Sequence, residues 1–137
     1  MILNRPALDH RLLDGRAIRD RLLVDVAERV RQAAARHALG RLVSVSVGEH
    51  PEAAVYVRAQ ASAAKRVGLP FEHFTWPSTL TQDQCKARLV AMNDDAGVLG
   101  VILQRPVPAH IHGRSLASAI HPLKDVEGMN PASIGDI

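Results

Sequence analysis

The chain has 137 residues, 47% hydrophobic and 23% charged, with a formal net charge of +3 and one cysteine. That is one globular domain, long enough to bury roughly two thirds of its unfolded surface with no disulfide or metal staple. No apolar run approaches the ~20 residues of a membrane span, Met1-Ile2-Leu3-Asn4-Arg5-Pro6 lacks a signal peptide's apolar core, and 3% aromatic content offers no stacking platform for nucleic acid, so the expectation is a cytoplasmic protein with no membrane or nucleic-acid partner.

Along the chain, helical and extended patterns alternate. Asp14 is placed to cap a helix carrying Ile18, Leu22, Leu23, Val26, Val30 and Ala34 on one stripe, with Gly40 as its stop. Val43, Val45 and Val47 then alternate with Ser44 and Ser46, the period of a strand, and Gly48 breaks it. A second helix runs from Pro51 or Glu52 to Gly68, and a short strand covers Phe71 to Thr75. Thr81 and Gln84 have capping-box spacing and open a third helix through Leu89 and Met92, ending in Asn93-Asp94-Asp95. Val98 to Leu103 is almost continuously apolar, the pattern of a central strand covered on both faces. The tail from Pro122 to Ile137 is rich in turn residues and is expected to be loosely held. Strands alternating with helix-length connections predict an α/β fold, a three-layer α/β/α domain with a mostly parallel sheet.

Open sheets of this kind bind ligands beyond the carboxyl ends of their strands. Three candidates fall there. The turn after the first strand leads to Tyr56 and Gln60, four apart and so on one helix face. Gln104 follows the apolar strand and precedes Pro106 and Pro108, which stiffen the exit. Asp125 lies in a loop between Pro122 and Gly128. Each has a plainer alternative: a packing tyrosine with a wet hydroxyl, a surface glutamine, a strand-closing amide, and an N-cap or Asx-turn aspartate.

Val47-Gly48-Glu49, Tyr56 with Gln60, Gln104-Arg105-Pro106-Val107-Pro108 and Lys124-Asp125-Val126-Glu127-Gly128 stand in an order that resembles one enzyme family. That family is the bifunctional methylenetetrahydrofolate dehydrogenase/methenyltetrahydrofolate cyclohydrolase, and the resemblance runs from about Leu13 to Gly135. It implies a tetrahydrofolate, as substrate or ligand, bound by Tyr56, Gln104, Pro106 and Asp125. Tyr56 would pack along the ring, Gln104 would orient the one-carbon bridge, and Asp125 would accept from the ring's N–H donors. Catalytic positions would be Tyr56, Gln60 and Gln104.

The chain also departs from the family pattern. Gln60 stands where the family has its catalytic lysine, and an amide cannot titrate. Lys65 and Lys124 are the nearby lysines, Ala53 replaces a common serine, and Arg105 and Met129 are atypical. No Gly-x-Gly-x-x-Gly turn occurs in these residues, so no NAD(P) site is expected within them. Met1 reads as a natural start, and the sequence stops where the family's nucleotide-binding domain would begin. The expectation is a folate-binding domain whose cyclohydrolase activity is doubtful and whose dehydrogenase activity needs a separate nucleotide-binding partner; a non-catalytic folate-binding module and a piece of a longer enzyme are the alternatives. His110 and His112 lack a third ligand at diagnostic spacing, and Cys85 reads as a buried structural thiol.

Overall fold

The computed structural model describes residues 13–135. The elements are α1 (Gly15–Ala34), β1 (Arg41–Val47), α2 (Pro51–Val67), β2 (Phe71–Trp76), α3 (Gln82–Asp94), β3 (Val98–Leu103), α4 (Gly113–Ala117), a 3-10 turn (Pro122–Lys124) and α5 (Pro131–Ile134). The three strands are parallel in the order β2-β1-β3. The alternating pattern of the sequence thus becomes an α/β domain.

β1 is the central strand, and its alternation marks two buried faces. Val43, Val45 and Val47 pack into the main core with Trp76, Cys85, Leu89, Val101, Leu103, Leu116 and Ile120. Ser44 and Ser46 look the other way and are also buried, at 0% and 4% exposure. The register sets Ser44 beside His73 and Ser46 beside Thr75, so a row of polar side chains lines the face opposite the main core. Small residues of α2, Ala53 and Ala64, are buried with Val67. Cys85, expected to be structural, is fully buried, and burial pushes its thiol above its ordinary value against the opposing pull of Arg88.

Four expectations are corrected. The first helix begins at the Asp14 cap, whose carboxylate accepts from the backbone N–H groups of Arg16 and Ala17 at 3.0 and 3.1 Å, but it ends at Ala34, well before Gly40. Gly40 serves another purpose: a Cβ there would stand 2.7 Å from the Gly97 carbonyl oxygen, so glycine permits close strand entry. The apolar stripe of α1 is not a core face either. No residue of α1 is buried, and Leu22 stays 57% exposed, because α1 packs mainly on α2 and not on the sheet.

β3 is not central. Its outer edge is met by residues 122–126 instead of another full strand, through a single parallel bridge between Val101 and Asp125. Gly100 makes this approach feasible, since any Cβ there would collide with the Val126 side chain. The tail, expected to be loose, is tied down as far as it is described. Asn130 is buried, its amide nitrogen donates to the carbonyls of Ser118 and Ile120 at 3.2 and 2.8 Å, and its side-chain oxygen caps α5. Asp136 and Ile137 lie outside the described residues.

Asp125 belongs to that anchoring. Its carboxylate accepts from the Asn130 backbone N–H at 2.7 Å. Burial alone would raise its pKa, but hydrogen bonds from Asn130, Ser133, Met129 and Gly128 outweigh that and hold the carboxyl below its ordinary value. A carboxyl lowered by folding stabilises above its unfolded pKa and loses that contribution as pH falls through the folded value. Asp125→Asn should therefore cost about 1 kcal/mol near pH 7. Urea unfolding of both proteins from pH 7 down through the acid carboxylate range checks this: the difference should shrink in acid, and a constant difference would contradict the assignment.

Candidate functional site

The carboxyl end of β3, one face of α2 and the turn at residues 127–129 converge on a cleft of about 340 Å³ lined by Tyr56, Gln60, Leu103, Gln104, Arg105, Glu127 and Met129. Gln104 forms its floor. It is 6% exposed, and its backbone N–H continues the ladder by donating to the Val45 carbonyl at 2.8 Å. Its side-chain nitrogen donates twice, to the Ser44 hydroxyl at 2.9 Å and to the Gln60 carbonyl oxygen at 2.7 Å. Both N–H groups of that amide are thus consumed inside the protein.

The residues selected from the sequence do not all meet here. Tyr56, Gln60 and Gln104 do. Tyr56 is 66% exposed, so its ring is an open wall of the cleft and not a packing residue. Pro106 is exposed just beyond the floor, joined to Arg105 by a cis peptide bond, and is not among the lining residues. Asp125 is not a lining residue either, because its carboxylate is turned onto the backbone of residues 128–130. The Asx-type role that the sequence also allowed is the one observed.

The carboxylate at the cleft is Glu127, two residues on. Its pKa is raised first by loss of water and then by the nearby Asp125 charge, while Arg105 pulls it down. Sequence reasoning passed over it; the signal present was a second carboxylate directly before Gly128, whose φ of +67° marks a sharp turn there.

Neither nearby lysine reaches the cleft. Lys124 donates to the Met92 and Asp95 carbonyls at 3.0 and 2.7 Å, binding the end of α3, and Lys65 is exposed elsewhere on α2. His110 points at the Leu80 carbonyl at 2.9 Å. Among the described residues no three His, Cys, Asp or Glu side chains cluster as metal ligands would. Among the described residues no helix is long and apolar enough to cross a membrane.

A second, larger cleft of about 440 Å³ opens beside the first turn of α2, between Ser46, Glu49, His50, Ala54, Arg58, His73 and Thr75, among others. It contains none of Tyr56, Gln60 and Gln104. A hydrogen-bonded chain nevertheless joins the two openings: Thr75 Oγ1 to His73 Nε2 at 3.3 Å, His73 Nδ1 to Ser44 Oγ at 3.1 Å, then Ser44 to Gln104 and Gln104 to Gln60. Burial lowers the His73 pKa, opposed by the Ser44 backbone.

Residues 13–127 match the family described as tetrahydrofolate dehydrogenase/cyclohydrolase, catalytic domain. Bifunctional protein FolD of Rhodobacter capsulatus is 61% identical over 129 residues, 94% of this chain and 43% of the relative. Bifunctional protein FolD 2 of Ruegeria pomeroyi is 55% identical over the same share of each. Among solved structures, a 5,10-methylenetetrahydrofolate dehydrogenase from the silkworm Bombyx mori superimposes with a TM-score of 0.86 at 30% identity, covering 90% of this chain and 43% of that one. The bifunctional FolD of Campylobacter jejuni gives 0.85 at 26% identity, covering 89% of this chain and 43% of its own. This chain therefore spans less than half the length of the relatives it matches, and over that span it belongs to the tetrahydrofolate dehydrogenase/cyclohydrolase family as its catalytic domain.

Proposed function

We propose that the cleft between Tyr56 and Glu127 binds the ring system of a reduced folate carrying a one-carbon unit, in a cytoplasmic protein of one-carbon metabolism. The observation that carries this reading is the Gln104–Gln60 hydrogen bond of 2.7 Å at the floor of a cleft walled by an aromatic ring and a carboxylate. A flat heterocycle suits the exposed Tyr56 ring, and adjacent ring N–H donors suit the Glu127 carboxylate. The free amide atoms of Gln60 and Gln104 then face the one-carbon bridge. Tyr56 and Gln104 keep the roles expected of them, Pro106 borders the floor, and Glu127 takes the part first given to Asp125.

Hydrolytic opening of a methenyl bridge needs a group that moves a proton beside the reacting carbon. Gln60 has none to give or take, and the lysines nearest in sequence are exposed or engaged elsewhere. We infer that cyclohydrolase activity is suppressed at this domain and that binding is retained. Hydride transfer further requires a nicotinamide held against the same bridge, which the remaining length of a FolD-like protein or a separate nucleotide-binding subunit would supply. The amide pair favours the reading as a folate-binding domain over that of a complete hydrolase.

Glu127→Gln should weaken tetrahydrofolate binding by roughly tenfold or more, the worth of a charge-assisted hydrogen bond. Isothermal titration measures it, and an unaltered dissociation constant would remove Glu127 from the site. Gln60→Lys should raise hydrolysis of methenyl-tetrahydrofolate by about 10²-fold over the parent chain, at the low end for positioned acid–base groups. Loss of absorbance of the methenyl compound reports it; equal, negligible rates in both proteins would contradict the role given to Gln60.

A further inference from the structure

Gln104 can face the cleft with either end of its amide, and the two ends recognise opposite partners. Here the nitrogen is turned inward, its two hydrogens taken by Ser44 and Gln60. The oxygen has no protein partner among the described residues. Gln60 complements it, with its oxygen used and its nitrogen free. What holds this orientation is the state of the Ser44 hydroxyl, which is 0% exposed and lies between Gln104 and His73.

A buried hydroxyl has one proton to place. If Ser44 accepts from Gln104, its own proton is satisfied by His73 when Nδ1 is bare, the tautomer that leaves the imidazole proton on Nε2 for Thr75. A second proton on His73 would occupy Nδ1; Ser44 can accept from His73 and Gln104 together, but its own hydrogen then has an acceptor between these two partners only if Gln104 turns its carbonyl oxygen inward. Both amides would then turn over. The cleft would exchange acceptor for donor at Gln104 and donor for acceptor at Gln60.

We propose that His73, acting through Ser44, is the positioning residue that holds the Gln104 carbonyl oxygen toward the ligand cleft, so that the site selects a hydrogen-bond donor on its ligand while His73 is neutral. His73 never touches that ligand. Its ring opens instead into the larger cleft, where it exchanges protons with solvent. Arg58 of α2 and Glu49 and His50 of the β1–α2 turn line that cleft with it, whereas its neighbours on the strands, Ser44, Ser46 and Thr75, carry no charge. The identity of the ligand rests on the folate reading; the orientation of the amides does not.

Two measurements on the full chain test the proposal separately from the folate reading. In isotopically labelled protein, the His73 ring nitrogens should report the Nε2–H tautomer near pH 7.5, and the Gln104 and Gln60 side-chain amide signals should move together with the His73 titration as pH falls. In Ser44→Ala that coupling should vanish. Amide signals indifferent to the His73 titration in the parent protein would overturn the proposal, whatever the ligand.

With tetrahydrofolate as probe, affinity should fall by roughly three- to tenfold through the His73 titration, the range of one hydrogen bond. His73→Asn offers a neutral acceptor near the position of Nδ1. It should keep the affinity found at pH 7.5 and lose this component of the pH dependence, whereas His73→Phe should bind more weakly at every pH. Identical pH profiles in the parent, His73→Asn and His73→Phe proteins would refute the positioning role. Absence of tetrahydrofolate binding at all pH values, with the amide coupling intact, would overturn the folate reading alone.

Discussion

The hydrogen bond between the Gln104 amide and the Ser44 hydroxyl is the contact through which the sheet and the cleft are joined. A hydroxyl buried on a central strand must find partners without water, and an orphaned one costs more than a satisfied one contributes. Ser44 finds them on both neighbouring strands, His73 on β2 and Gln104 just past β3. The polar face of the sheet is therefore a connected set of side chains, and its last members form the floor of the cleft. No buried side-chain polar atom is left without a partner among the described residues.

The two faces of β1 divide the labour. The valine face packs against α3 and α4 as a dry core, where Leu89 and Leu116 are wholly buried and the stability of the domain is concentrated. The serine face forgoes some of that apolar burial and gains a defined hydrogen-bond polarity. Such a network is valuable only when every member is satisfied, since a partly paired one is worse than an apolar core. Lysine at position 60 would disturb this balance, because it brings only donors to a place where Gln104 already presents one. Gln60 and the inward-turned Gln104 suit each other.

Much of this was legible in the sequence, and the gaps have physical causes. Periodicity and caps placed α2, α3 and the strands well, as the Thr81–Gln84 capping box and the positive φ of Gly68 show. Periodicity could not tell that the Ser44–Ser46 face would be buried, because alternation looks the same whether the polar side meets water or a polar network. It also overrated the α1 stripe, since an apolar face does not say what it packs on. Tyr56, Gln60 and Gln104, singled out through the family resemblance, line one cleft because their segments are stiff: a helix, and a strand exit held by prolines. Asp125 was named on the family resemblance and Glu127 was passed over, and a short turn carries no readable direction for its side chains that would have told the two apart. His73 and Ser44 went unnoticed as partners, for their contact depends on parallel register between strands 29 residues apart.

The central claim is that the amide-floored cleft, and not the larger opening beside Arg58, is where a reduced folate sits. Titrating labelled protein with tetrahydrofolate and following side-chain amide and backbone signals tests it directly. The account predicts shifts centred on the side chains of Gln60 and Gln104 and on residues near Tyr56 and Glu127, with little change around Ala54 and Arg58. Shifts confined to Ser46, Ala54 and Arg58, with the two glutamine amides undisturbed, would contradict it.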